Sequence, residues 1–302
     1  MLHHQNLKHM RNSLKSRKIF TITFFIVSGT ILNCYSQQDP KNIAAGGSVI
    51  LEYKYQSENP VSYLSVSKMI QTMDIQGQSM QNNVNSVLGC TIKTVDKQDK
   101  NLKLEVRIDT LGQFVDSPMG TSGRSVSEVQ GKVFNIIIAP DGRGIDLSGA
   151  QQIVYSMESG ETNMAQSFLE FFPFLPKTPV KTGETWNMVD TVSGKSATMS
   201  MKNVINSDNK LEGVENIDGI ECARISSNLT GTMTIITQSQ GMDIYIKGSF
   251  NGTGVVLFAI KEGYFIKQTA TTKMTGNIEI SGPEAMSFPV IMDIDGVSEI
   301  KK

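Results

Sequence analysis

The chain has 302 residues, with 28 Lys and Arg against 29 Asp and Glu, three histidines and three cysteines. Its mild charge and lack of a basic run do not suit nucleic acid or anionic lipid. His3, His4 and His9 all lie in the first ten residues. The chain beyond them therefore cannot build a Ser-His-Asp triad, a Cys-His dyad or a His-based zinc site.

Residues 1–18 carry Lys8, Arg11, Lys15, Arg17 and Lys18 and no acid, and Ile19–Leu32 is almost wholly apolar. A basic segment before a short apolar one is the pattern of a secretory signal. The apolar run is shorter than the roughly 20 residues of a membrane span. Two processing sites compete. Cys34-Tyr35-Ser36 offers small residues for cleavage before Gln37, whereas Ile31-Leu32-Asn33-Cys34 resembles a lipoprotein signal with Cys34 as the lipidated residue. The first is the favoured reading, and membrane attachment is expected only with lipid on Cys34. Removing residues 1–36 takes five basic residues and no acid, leaving 23 against 29, a net charge of −6.

Residues 37–149 read as a first β unit. Leu102, Leu104, Val106 and Ile108 alternate with Lys103, Glu105, Arg107 and Asp109, the pattern of an antiparallel sheet with one buried face. Further strands are expected over Val49–Tyr55, Leu64–Ile75, Val84–Val95, Val129–Ala139 and Gly144–Leu147. Asp116–Ser127 reads as a Gly/Ser-rich loop, and Pro140-Asp141-Gly142 as a turn.

Residues 150–182 break the β pattern and read as a helical, proline-rich connector. Ile153, Val154, Met157, Met164, Phe168, Leu169 and Phe172 recur at three- and four-residue spacings, interrupted by Gly160. Two short helices, or one helix and a turn, are expected before Pro173 and Pro176. Phe168, Phe171, Phe172 and Phe174 form a cluster too apolar to stay exposed. With Trp186, the sole tryptophan, they are the candidate lining of a core plug between two units or of an apolar ligand cavity. The plug is the favoured reading.

Residues 183–302 read as a second β unit. Strands are expected over Ala197–Ile205, Leu211–Ile217, Ile220–Ile236 (one long strand or a bent pair), Met242–Phe250, Gly254–Ile260, Tyr264–Ile280 and Ser287–Ile300. Ser207-Asp208-Asn209, Asp218-Gly219, Lys261-Glu262-Gly263 and Asp293-Ile294-Asp295-Gly296 read as turns. Matching openings (Gly47-Ser48-Val49-Ile50 and Gly183-Glu184-Thr185-Trp186) and similarly placed Cys90 and Cys222 suggest a duplicated unit. Both cysteines are expected as buried, unpaired residues. The expected fold is mainly β: two related antiparallel, curved, half-barrel-like units joined by a short helical segment.

The stretch Leu175-Pro176-Lys177-Thr178-Pro179-Val180-Lys181-Thr182-Gly183-Glu184-Thr185-Trp186 resembles the LP-PV-GDTW word of an uncharacterised family of exported Bacteroidetes envelope proteins, a domain of unknown function. Tyr53-Lys54-Tyr55, the Met- and Gln-rich stretch around Met69, Met73 and Met80, and the Pro140 turn also fit. Glu184 stands where aspartate is commoner. The resemblance implies export and supplies no activity or site residues. In outline each unit is also similar to the curved sheets that carry lipoproteins across the periplasm.

No spacing points to catalysis, a cofactor or a metal site. The expected function is a non-enzymatic protein of the periplasm or cell envelope that binds an apolar or amphiphilic molecule or an envelope protein. A structural or interaction module without a small-molecule ligand is the alternative. The exported protein is expected to start at Gln37, which its intact mass will show; a diacylglycerol-modified start at Cys34 would replace that reading.

Overall fold

The computed structural model describes residues 47–118, 120–157, 160–239, 242–282 and 285–301. The leader, both processing sites and Cys34 lie outside the described residues. In chain order the strands are β1 (Ser48–Val49), β2 (Val61–Ile75), β3 (Gln78–Gln98), β4 (Asn101–Ser117), β5 (Gly120–Ser125), β6 (Val133–Ile138), β7 (Gly144–Asp146), β8 (Val154–Met157), β9 (Gly160–Asn163), β10 (Val180–Lys181), β11 (Thr185–Lys195), β12 (Met199–Ile217), β13 (Ile220–Ser239), β14 (Met242–Ala259), β15 (Tyr264–Ile280) and β16 (Met286–Ile300). Twelve of them form one antiparallel sheet in the order β11-β12-β13-β14-β15-β16-β2-β3-β4-β6-β7, with β5 also on β4. The meander is closed end to end in sequence, because the last strand, β16, pairs with β2 from Val290↔Met73 to Ile300↔Tyr63.

This pairing corrects the expectation of two separate curved sheets. Strands from residues 37–149 and 183–302 hydrogen-bond into one sheet, and β16 and β2 satisfy each other's ladder groups where two sheets would have had exposed edges. The connector also differs from expectation. Its helices are single turns, Ser148–Gln151 and Ala165–Phe168, and between them Val154–Met157 pairs with Gly160–Asn163 as a hairpin. Its apolar residues pack individually against the sheet rather than along one helical stripe.

The sheet rolls strongly. Laid flat, ten spacings of about 4.8 Å would separate β11 from β7 by about 48 Å. Yet Arg143, in the turn before β7, bonds Asp190 in the middle of β11 at 2.9 Å. One hydrophobic cluster also joins Ile136 and Ile138 of β6 to Leu211 of β12 and Ile225 of β13. β11 and β7 are the two ends of the sheet order and do not pair with each other.

Inside the roll are two main cores. The first gathers Tyr53, Tyr55, Tyr63, Phe134, Phe168, Phe171, Phe172, Phe258 and Phe265 with the aliphatic residues of β3, β4 and β6. Tyr63 stacks on Phe265 with centroids 4.4 Å apart and meets Phe171 edge-on at 5.6 Å. The tyrosines carry hydroxyls into this core only because each finds a partner. Tyr55 and Tyr63 hydroxyls lie 2.9 Å apart, Tyr63 donates to the Phe265 carbonyl at 2.9 Å, and Tyr53 donates to the Pro173 carbonyl at 3.0 Å. The second core, toward the other strand ends, is rich in methionine: Met69, Met73, Met201, Met233, Met274 and Met292 with Ile244, Ile246, Ile278 and Val290. Thioethers suit this irregular space.

Several boundaries moved. Residues 50–55, expected as a strand, are not in the main sheet; Tyr53 N–H bonds the Pro140 carbonyl and Lys54 N–H the Gly263 carbonyl. Ser207–Asn209 and Asp293–Gly296 are not turns but lie within β12 and β16, and Gly120–Ser125 pairs with β4 instead of forming a loop. Asp218-Gly219 is the β12–β13 turn, with φ of +50° and +90°. Cys90 and Cys222 are free, buried thiols. Cys90 lies in the aromatic core, whereas Cys222 packs with Ala259 and Ile266 in a third, smaller cluster, so the fold keeps them in different clusters.

Phe172 touches Tyr53, Tyr55 and Phe171 ring to ring. Phe172→Ala is expected to destabilise the protein by about 3–5 kcal/mol, as truncation of a packed aromatic does. Urea unfolding will read the shift in midpoint, and an unchanged midpoint would show that the cluster does not hold the roll together.

Candidate functional site

Register fixes which side chains point inward. On β12 the inner face runs Met201, Asn203, Ile205, Ser207, Asn209, Leu211, opposite Ile235, Met233, Gly231, Leu229, Ser227 and Ile225 of β13. The last four of these β13 positions then face Phe250, Gly252, Gly254 and Val256 of β14. The ends of these columns are buried in the two cores. Between the cores, Ser207, Ser227, Leu229, Gly252, Gly254, Ala270 and Thr272 remain partly exposed on the inner face. At the corresponding level of the neighbouring wall, Ser65, Ser67 and Ser298 are buried, with Ser65 donating to Ser298 at 2.7 Å. The inside of the roll is thus packed against β2 and β16 and more open against β12–β15, where its lining is small and polar.

The connector crosses this inner face. Gln268 of β15 donates to the Phe171 carbonyl at 3.2 Å. The β8–β9 hairpin is tied to the β11–β12 turn by Thr198, which donates to the Glu161 carbonyl at 2.9 Å, and by Asn163, which donates to the Lys195 carbonyl at 3.3 Å. Gly194 on β11 lets the connector approach: a methyl there would overlap the Gln166 amide and the Leu169 side chain. A cleft of about 730 Å³ opens beside this contact. Its walls include Ile145 and Leu147 from the β7 side, Gln166 and Leu169 from the connector and Met201 from β12, and Lys195 and Lys202 also border it.

Beside the cleft is a polar group set inside the roll. Asn203 Nδ2 donates to Glu170 Oε1 at 2.8 Å. Burial pushes the Glu170 carboxyl above its ordinary value; the Asn203 bond opposes that rise and the nearby Asp190 charge adds to it. Asn203 Oδ1 and Gln166 Oε1 are buried and lack a hydrogen-bond donor among the described residues. At the seam Arg143 bonds both Asp141 and Asp190 and lies over the Phe174 ring at 5.4 Å. Lys177, largely exposed, stands 3.9 Å from Asp141.

The candidate residues read from sequence do not share one role. Phe168, Phe171 and Phe172 lie in the aromatic core. Phe174 is half-buried under Arg143 at the seam. Trp186 is half-buried against the aromatic core, with its Nε1 buried and without an acceptor among the described residues. Glu170, Gln166 and Asn203 were not singled out in sequence. The available signal was Glu170 itself, an acid embedded in Phe168-Leu169-Glu170-Phe171-Phe172.

No protein-family model and no curated protein matches the chain. Among solved structures it is similar to DynF from the dynemicin biosynthesis pathway of Micromonospora chersina, at 7% identity over 91% of this chain and 96% of that one, with a TM-score of 0.22. It is also similar to OccK2 of Pseudomonas aeruginosa, at 8% identity over 85% and 100%, with a TM-score of 0.22. A third is a DUF1329 family protein from Desulfovibrio piger, at 12% identity over 78% and 84%, with a TM-score of 0.16. These are distant likenesses among β-sheet proteins.

The raised Glu170 value gives a pH signature. Below the unfolded value, about 4.3 for glutamate, both states hold the proton. Above it the unfolded chain ionises first, so stability falls as pH rises toward the folded value and the loss then stays constant. Asn203 faces the carboxyl from β12 and Asp190 from β11, with Arg143 committed to Asp190 and Asp141. Glu170→Gln is expected to gain stability over the parent as pH rises from 4 to 8, read from urea midpoints; a difference independent of pH would contradict the desolvated carboxyl.

Proposed function

We propose that this is a non-enzymatic, exported protein of the cell envelope whose rolled sheet holds an apolar or amphiphilic molecule against the inner face of β12–β15. The observation that carries this reading is the contrast between the two inner walls. Ser65, Ser67 and Ser298 on β2 and β16 are buried, Ser65 and Ser298 against each other, whereas small residues on β12–β15 at the same level stay partly accessible between two apolar cores. A wall of Ser, Gly, Ala and Thr between methionine-rich and aromatic ends gives room, adaptable apolar contact and a few polar anchors, the usual make-up of a ligand site. The signal-like leader and the resemblance to exported Bacteroidetes envelope proteins support export.

The second reading is an interaction module, and β11 supports it. This end strand of the sheet pairs only with β12 among the described residues and carries the well-exposed Val189. Such an edge can add a strand from a partner.

Protein purified from its native envelope should yield a stoichiometric amphiphile on solvent extraction and mass spectrometry. Leu229→Trp, which fills the open wall, should remove that molecule while the protein stays folded. A ligand-free parent, or an unchanged yield from Leu229→Trp, would defeat the binding reading and favour the module.

A further inference from the structure

We propose that the connector and β12 form a receptor for the primary ammonium head of an amphiphile, with Gln166 Oε1, Asn203 Oδ1 and the Glu170 carboxyl as acceptors and the alkyl chain against Leu169 and Met201. The assignment rests on the ligand-binding reading and extends it from the open wall of β12–β15 to the seam cleft, where the head group is held.

Three observations converge. Gln166 and Asn203 are 7% and 3% exposed, and each has a buried oxygen that no donor reaches among the described residues. Unpaired buried acceptors cost folding free energy, so a fold that keeps two near one carboxyl has a donor to receive. They are neighbours through the sheet register. The Gln166 amide lies against Gly194, Gly194 pairs with Met201, and Asn203 is two residues along the same inner face, about 7 Å away. Glu170 follows Gln166 by four residues and bonds Asn203 directly. No salt bridge joins Glu170 to a cation among the described residues, while Arg143 is taken by Asp141 and Asp190.

The surroundings specify the rest of the ligand. Gln166 lines the seam cleft beside Leu147, Leu169 and Met201. A ligand donating three hydrogen bonds at one end and burying a chain at the other matches this set. A primary ammonium has three donors; a quaternary ammonium has the charge and none.

The test uses the full exported protein, freed of bound lipid, with decylamine, decyltrimethylammonium, 1-decanol and decanoate in isothermal titration at neutral pH. Decylamine is expected to bind at least about tenfold more tightly than the other three, a difference of roughly 1.4 kcal/mol. Glu170→Gln should abolish that preference and leave decanol affinity unchanged. If Glu170→Gln does not fold, Gln166→Met, which removes a neutral acceptor, should reduce the preference severalfold. Decanol binding as tight as decylamine would overturn the assignment alone, as would a preference that survives the variant. Tightest binding of decanoate would overturn it in favour of Lys195 and Lys202. Failure of every decyl compound to bind would sink the assignment and the apolar-ligand reading together.

Discussion

Arg143 and Asp190 meet across the two ends of a sheet that nowhere pairs end to end. That contact is possible only because the sheet rolls until β7 and β11 stand close, and the roll in turn needs something inside it. The connector supplies the filling. Phe168, Phe171 and Phe172 enter the aromatic core, its carbonyls take bonds from Tyr53 and Gln268, and its hairpin binds the β11–β12 turn. Closing the seam by hydrogen-bonded strands would have made a barrel with no edges. Closing it with side chains and a crossing segment leaves a cleft and places polar groups where a ladder would have been. Arg143 makes this tolerable, since its charge meets two carboxylates and an aromatic face while only partly removed from water.

The two cores make different demands on the chain. The aromatic core depends on interlocked rings and tyrosine hydroxyls with particular partners, so its geometry is fixed. The methionine core is built from flexible chains and can adjust to what lies beside it. Rigid packing at one end and adaptable packing at the other flank a belt whose small inner-face residues stay partly exposed. Ser227, which donates to Asn209 at 2.7 Å, shows that even the polar residues of the belt are held in position.

Long alternating strands were legible in the sequence because one face is apolar over most of their length. Tyr264–Ile280 was read with the bounds the structure has, and the turns at Asp218 and Gly263 were marked by residues that tolerate positive φ. The reading failed where the inner face stops being apolar. Ser207-Asp208-Asn209 looked like a turn because Ser207 and Asn209 point into the belt, and Gly252 and Gly254 divided β14 on paper for the same reason. Asp293–Gly296 failed likewise, since Gly296 faces inward while Asp293 pairs outward with Lys273 at 3.1 Å. These misread turns therefore cluster on one level of the roll, that of the open wall of β12–β15, as expected where local patterning yields to another requirement. The β16–β2 pairing was not legible at all, because residues more than about 210 apart in sequence carry no local signal of contact.

The direction of the alternation bears on where such a roll can sit. A membrane-spanning barrel turns apolar residues to lipid and polar ones to its lumen. Here the pattern is reversed. Lys267 pairs with Glu299 at 2.8 Å, Lys273 with Asp293 and Lys93 with Glu105, all on the outward face, while Met274, Ile278 and Met292 point in. Exposed pairs of this kind add little stability, so their value is in keeping the outside wetted. The outside of the roll is thus made for water, while its inside is apolar at both ends and small and polar between them. The same arrangement explains why an acid can persist at Glu170. Desolvation raises the half-buried Glu170 carboxyl above its ordinary value, and the Asn203 bond offsets this only in part. This half-buried acid keeps one donor, Asn203, beside two buried oxygens, Gln166 Oε1 and Asn203 Oδ1, that no donor reaches among the described residues.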